Sequence, residues 1–187
     1  MHLFVKLIKI NLIVVVTIAA LFSLTILLGD APGHFDAYLK FIMGGKILLL
    51  LIFGFAVIPG FMIVFFLIVP NYAPFVVDIE GALVFSLIHT FVPVGAVYLM
   101  NFTKVSNFKD LTNIDFRHIV FLVILATLFS SIFKYTFIAE FTDIEINAAT
   151  FVGKYFISHT LGSLILIYAV LKIIPHILSK FNPSFNN

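Results

Sequence analysis

The sequence predicts an all-α, polytopic integral membrane protein with about six transmembrane helices. Of its 187 residues, 62% are hydrophobic and only 11% are charged, and the mean hydropathy is +1.19. Soluble domains use apolar residues for about half of their length. The charged residues fall between long apolar runs, and no segment is polar enough to form a soluble domain. We therefore expect a single membrane domain over residues 1–187.

The central apolar stretch, Phe41–Val69, decides the topology. It is longer than the about 20 apolar residues that one span needs, and it contains the pair Pro59-Gly60. Proline cannot donate an amide to a continuing helix, and glycine tolerates a turn. We therefore predict two helices joined by a tight hairpin at Pro59-Gly60.

The remaining apolar runs give the other spans. The first run, Ile10–Leu28, exceeds the about 7–15 apolar residues of a signal peptide, so we expect an uncleaved span. Three further runs follow the central stretch. The predicted spans are residues 10–28, 38–57, 59–74, 81–100, 119–139 and 151–171.

The distribution of charge sets the predicted orientation, because basic residues concentrate on the cytoplasmic side of membrane proteins. With two crossings in Phe41–Val69, both termini are cytoplasmic and most basic residues fall inside. A single crossing would place the loop from Lys104 to Arg117 outside. The basic residues assigned to the cytoplasmic side are Lys6, Lys9, Lys104, Lys109, Arg117, Lys172 and Lys180. The acidic residues assigned to the outer side are Asp30, Asp36, Asp78, Glu80, Glu140, Asp143 and Glu145.

Composition also narrows the classes of function. The chain has no cysteine, which excludes disulfides, thiolate metal sites and cysteine nucleophiles. The basic residues indicate membrane orientation and not nucleic-acid binding. We predict no cofactor and no enzymatic activity. Because no cytoplasmic segment is large enough to carry an output, we expect a protein partner or a homo-oligomer in addition to membrane lipid.

Ionisable residues inside the predicted spans are the candidate site residues, because burying them in a membrane is costly. Lys46, His89 and His159 lie at similar depths, roughly 12 Å below the outer face. We predict an outward-opening pocket that binds a small ligand or a membrane partner from the outer side, and the excess of basic groups favours an anionic ligand. The predicted ligand-binding residues are Lys46, His89, His159, Lys134, Lys154 and Glu80.

Polar side chains at helical spacing support two walls of this pocket. Thr127, Ser131 and Lys134 share one helix face. The other face combines Lys154, Ser158 and Gly162.

Some of these ionisable residues also have explanations that involve no function. Lys134 and Lys154 lie close enough to the surface for their ammonium groups to reach water, and His89 could bond a backbone carbonyl. A metal site built on His89 and His159 lacks further ligands. Ser158 and His159 are adjacent in sequence and do not face each other on a helix, which argues against a hydrolytic pair.

Three motifs in order resemble the membrane-associated sensor (MASE) family over roughly residues 41–171. Gly45–Gly54 followed by Ile58-Pro59-Gly60 is similar to that family's "G-apolar run-G…W-P-G" opening. His89–Pro93 followed by Gly95-Ala96 is similar to its "N-T-L-E…G-A" span, and Ser158–Leu164 to its "G-D-x-L-G-x-L" segment. The resemblance implies a multi-pass sensory module in a bacterial cytoplasmic (inner) membrane.

This chain departs from the family pattern at its polar positions. Ile58, His89, Val92 and His159 stand where the family has Trp, Asn, Glu and Asp. Family members usually precede a diguanylate cyclase or histidine kinase domain, which is not found here, so we expect signalling through a separate protein. One alternative is a substrate-binding subunit of an energy-coupling-factor vitamin transporter. Such subunits carry a small-residue motif on their first span, and Ala19…Ser23 is an approximate match to it. Another is a structural subunit of a membrane complex.

Overall fold

In the computed structural model, residues 2–28, 39–72, 78–105, 115–142 and 145–181 are described, and this part is helical without any strand. It contains six α-helices, and a short 3-10 helix joins the second to the third. The helices are α1 (His2–Leu27), α2 (Ile42–Phe53), the 3-10 helix Gly54–Val57, α3 (Ile58–Tyr72), α4 (Ile79–Phe102), α5 (Phe116–Phe141) and α6 (Ala148–Phe181).

Five helical stretches in the described residues are long and apolar enough to cross a membrane. This finding confirms the predicted all-helical architecture and agrees with an integral membrane protein. The five stretches are Leu3–Leu27, Ile42–Leu67, Ile79–Phe102, Phe116–Phe141 and Ala148–Ile173. The second of them contains α2, the 3-10 helix and most of α3.

The chain turns back on itself within this second stretch. The Nζ atom of Lys46 on α2 lies 5.1 Å from the ring centroid of Phe65 on α3. In one uninterrupted helix these two residues would be about 28 Å apart along the axis. The contacts with α1 agree, because Gly45 packs against Leu21 and Ile18 and Gly60 against Val14 and Asn11. These two contact points are about two turns apart on α1, roughly 10 Å, whereas Gly45 and Gly60 would be about 22 Å apart in one uninterrupted helix.

The position predicted for the turn, Pro59-Gly60, is wrong. The reversal occurs at Gly54–Val57, and Pro59 and Gly60 lie in the first turn of α3. Gly54 has a φ of 63°, a left-handed conformation that glycine adopts without strain. Proline fits the first turn of a helix, where its missing N–H would have no intrahelical acceptor.

Asn11 on α1 secures the start of α3. The Gly60 N–H donates a hydrogen bond to Asn11 Oδ1, and Asn11 Nδ2 in turn donates to the Leu7 carbonyl at 2.9 Å. The amide group is thereby held with its oxygen toward α3. A side chain of a neighbouring helix thus satisfies one of the N–H groups that a helix start leaves open.

The two arms of the hairpin are short. α2 has 12 residues and α3 has 15, which correspond to about 18 Å and 22 Å. Both are shorter than the roughly 30 Å hydrocarbon core of a bilayer. The predicted spans 38–57 and 59–74 are therefore each represented by a shorter helix.

α2 lies inside the bundle, where it contacts α1, α4, α5 and α6. Its residues from Ile42 to Ile47 are all buried. By contrast, most of the α1 surface is apolar and exposed, as expected for a helix that faces lipid.

The helix starts at α4 and α5 use acidic caps. Asp78 Oδ1 accepts the Gly81 N–H at 2.7 Å. Before α5, Arg117 Nε donates to Asp115 Oδ2 at 2.8 Å, and this hydrogen bond lowers the pKa of the exposed Asp115 carboxyl. Both acids thus serve local structure at the ends of the apolar helices.

Two glycines allow the backbones of α2 and α6 to touch. A Cβ on Gly162 would lie 2.5 Å from the Lys40 carbonyl oxygen, and one on Gly44 would lie 2.8 Å from Ser163 Cα. The Lys40 N–H also donates to the Ser158 carbonyl at 3.2 Å. The start of α2 is therefore positioned by direct backbone contact with the middle of α6.

We expect Gly162→Ala and Gly44→Ala to destabilise the protein by about 1–3 kcal/mol or more, because backbone atoms cannot move aside for the added methyl group. Gly153→Ala is the matched control on α6, since a Cβ there meets nothing within 4 Å. Unfolding in mixed detergent micelles measures the difference. Equal stability of Gly162→Ala and Gly153→Ala would contradict the close approach of α2 to α6.

Candidate functional site

Five basic side chains are buried together between α2, α4, α5 and α6. Lys46 is 1% exposed, His159 3% and Lys134 4%. Lys40 and His89 are also buried. The acidic side chains whose exposure the structure describes (Asp78, Glu80, Asp115, Glu140 and Glu145) are all exposed. The interior of the described bundle is therefore rich in basic groups and lacks a buried carboxylate.

Lys46 has a specific partner on α4. Its Nζ atom donates a hydrogen bond to the His89 carbonyl oxygen at 2.8 Å. In a regular helix this carbonyl accepts the N–H of residue 93, but residue 93 is proline and has no N–H. Lys46 therefore satisfies the carbonyl that Pro93 leaves open, as the absence of water in a membrane requires.

Aromatic rings surround the buried ammonium groups. The Lys134 Nζ atom lies 4.3 Å from the Tyr155 ring centroid and 5.4 Å from that of Phe85, and Lys46 Nζ lies over Phe65. The electron-rich faces of these rings attract cations where water is excluded. His89 lies between Phe65 and Phe85, with ring centroids 4.5 Å and 4.6 Å away.

His159 on α6 is the least satisfied group of the cluster. Its ring packs 4.1 Å from the Tyr155 ring, and neither of its nitrogens has a hydrogen-bond partner in the described structure. Lys134, Lys40 and Lys46 all lie close enough to interact with it electrostatically. A buried imidazole without partners loses its hydrogen bonds to water and gains none, which costs free energy.

The structure brings together four of the six predicted site residues. Lys46, His89, Lys134 and His159 belong to the buried cluster, whereas Lys154 and Glu80 are exposed and lie outside it. Lys134 is buried. The alternative explanation, that its ammonium group extends to water at the membrane surface, is therefore wrong. Lys40 is not among the predicted site residues, because a lysine at the start of a predicted span is expected to lie at the membrane surface.

The predicted polar face of α5 is confirmed, since Thr127, Ser131 and Lys134 are all buried on one side of the helix. Thr127 Oγ1 lies 2.8 Å from Thr160 Oγ1 and joins α5 to α6. The predicted polar face of α6 is confirmed only in part. Ser158 and Gly162 are buried, whereas Lys154 is exposed.

A separate groove on α4 and α5 is apolar. It has a volume of about 560 Å³ and includes Phe91, Gly95 and Phe133 in its lining. No basic or acidic side chain lines it, so it is distinct from the basic cluster. Among the described residues, no three histidine or acidic side chains are grouped so that they could hold a metal ion.

The chain matches no protein-family model, no curated protein and no solved structure. The resemblance to membrane-associated sensor domains therefore stays a prediction from sequence motifs. The interpretation of the basic cluster depends on its geometry.

We expect Lys46→Met to destabilise the protein by about 1–3 kcal/mol, the cost of a buried carbonyl without a donor. Pro93→Ala supplies the missing N–H within α4. The cost of Lys46→Met should therefore be smaller in the Pro93→Ala background, a coupling that a double-mutant cycle of micellar unfolding measures. If Lys46→Met costs the same in both backgrounds, the lysine does not act through the His89 carbonyl.

Proposed function

We propose that this chain is a multi-pass membrane module that binds a small anion between α2, α4, α5 and α6 and signals through a separate protein. The observation that supports this proposal is the burial of Lys46, His89 and His159 together, with both nitrogens of His159 lacking partners. An anion would supply the acceptors and the negative charge that the described interior lacks.

The physical argument concerns the cost of buried charge. An ammonium group away from water is unfavourable unless it is paired or hydrogen-bonded. Lys46 has one carbonyl acceptor and one aromatic ring, which leaves donor capacity on its ammonium group. A carboxylate or phosphate oxygen forms stronger hydrogen bonds to charged donors than a neutral acceptor does. The cluster is therefore better suited to an anion than to a neutral ligand.

The location of the cluster supports a sensory role. Its groups come from four helices, and α2 contacts all of the others that contribute. A ligand held between these helices would favour one packing of the bundle over another. We expect a second protein or a second copy of this chain to respond to that change, consistent with the sensor resemblance.

One observation favours a structural subunit as the second candidate. The Lys46 bond to the His89 carbonyl gives this lysine a task in folding without any ligand. The two candidates differ in their response to added anions, because a structural subunit would show no saturable binding.

Anion binding is the test of the proposed function. Protonated His159 donates hydrogen bonds from both nitrogens, so affinity for acetate or phosphate should rise as the pH falls. The basic groups close enough to His159 to interact with it electrostatically are Lys134, Lys40 and Lys46. His159→Gln should weaken binding and flatten its pH dependence in calorimetry of the purified protein.

His118→Gln is the control for this experiment, because His118 lies in the first turn of α5 and bonds Asp115 locally. It should bind like the unmodified protein at every pH. The absence of saturable binding of either anion to the unmodified protein would refute the proposed function.

We also propose that both termini face the cytoplasm of a bacterial inner membrane, with the α2–α3 turn on the same side. Lys6 and Lys9 near the start of α1, Lys104 after α4 and Arg117 at the start of α5 support this orientation under the positive-inside rule. If the hairpin reaches this side, the chain makes six crossings.

The lack of cysteine allows a direct test of orientation with single-cysteine variants. In intact cells, a membrane-impermeant thiol reagent should label Glu145→Cys, and should label Phe55→Cys and Lys104→Cys only after permeabilisation. All three native side chains are exposed. Labelling of Lys104→Cys in intact cells would reverse the proposed orientation.

A further inference from the structure

The amino-terminal end of α2 is buried inside the bundle, and its first amides have no hydrogen-bond acceptor among the described residues. The first hydrogen bond into the helix runs from the Gly45 N–H to the Phe41 carbonyl at 3.1 Å. Phe41 supplies no side-chain cap. The N–H groups of Ile42, Met43 and Gly44 precede this bond and have no acceptor in the described structure. All three residues are buried.

Unpartnered polar side chains of α6 lie beside this helix start. The Ser163 Cβ lies 3.2 Å from the place that a Cβ on Gly44 would occupy. Ser163 is 0% exposed and its hydroxyl has no hydrogen-bond partner. One turn earlier on α6 is His159, whose two ring nitrogens are also unpartnered. The backbone contact between Lys40 and Gly162 keeps this part of α6 against α2.

The backbone amides of this helix start require an acceptor. Backbone amides at a helix start point along the axis and carry the positive end of the helix dipole. In a membrane interior no water is available to satisfy them. The hydroxyl of Ser163 and a protonated His159 can donate as well. An oxyanion has enough acceptor oxygens to meet several of these donors at once.

We propose that the first turn of α2 binds an oxyanion, a carboxylate or a phosphate, through the N–H groups of Ile42, Met43 and Gly44, with Ser163 and His159 completing the site. This inference deepens the proposed function by naming the recognised group and the atoms that recognise it. It places the anion at the start of α2, where Lys46 supplies charge from the following turn while its ammonium group remains bonded to the His89 carbonyl.

The chain offers a spectroscopic probe of this site, because it contains only 4 methionines. With ¹⁵N-methionine labelling of the full chain in nanodiscs, the amide signal of Met43 can be assigned by Met43→Leu. Addition of acetate or inorganic phosphate should shift the Met43 signal in a saturable way. The amides of Met62 and Met100, inside α3 and α4, should move much less. Comparison of the two anions shows whether a carboxylate or a phosphate is preferred.

Two serine variants test the contact from α6. Ser163→Ala should weaken anion binding about five- to tenfold through loss of one hydrogen bond to a charged acceptor. Ser130→Ala is the matched control, because Ser130 is equally buried and its hydroxyl is also unpartnered, but it belongs to α5. Its affinity should stay within about twofold of the unmodified protein.

The outcomes separate this inference from the proposed function. If anions bind but the Met43 signal does not shift and Ser163→Ala matches Ser130→Ala, the anion site lies elsewhere and only this inference fails. If no anion binds, both fail. If Asp30→Asn or Asp36→Asn shifts the Met43 signal without any added anion, a carboxylate of the chain itself occupies the helix start, and the inference is overturned.

Discussion

The hydrogen bond from Lys46 to the His89 carbonyl is the interaction on which the interior of this bundle depends. Proline in the middle of α4 removes a backbone donor, and a membrane provides no water to replace it. Lys46 reaches from α2 to fill that position at 2.8 Å. The bond explains why a lysine is tolerated at 1% exposure, and it fixes α2 against α4 at the level where the basic cluster forms.

The same bond requires α2 to lie inside the bundle. Glycines allow this, because without a Cβ they let α2 pack closely against its neighbours. Gly44 and Gly162 bring the start of α2 into backbone contact with α6, while Gly54 lets the chain turn back toward α3. A helix that begins inside a membrane bundle leaves its first amides without water. Close packing of α2 and the need for an acceptor at its start are therefore two consequences of one arrangement.

The sequence allowed the hairpin to be predicted but not the residues at which it turns. Pro59-Gly60 is the conspicuous pair, yet proline is compatible with a helix start, and the reversal needs the positive φ of Gly54. Counting residues from the ends of the predicted spans grouped Lys46, His89 and His159 by depth, and contacts in the structure agree. Periodicity could not separate Lys154 from its neighbour Tyr155, because which of two adjacent residues faces inward depends on the rotation of α6. Asn11 and Lys40 act through partners distant in sequence, which no local pattern reveals.

The basic cluster differs from an ordinary membrane interior in the kind of group that it leaves unsatisfied. Hydroxyls such as those of Thr127 and Ser131 bond carbonyls of their own helix, so they need nothing from outside. The first amides of α2 differ from these hydroxyls, because the N–H groups at a helix start have no acceptor within their own helix. His159 adds two further positions without partners. The α2 amides and the Ser163 and His159 side chains of α6 are therefore neighbouring groups without partners among the described residues, and an oxyanion is the ligand that we propose for them.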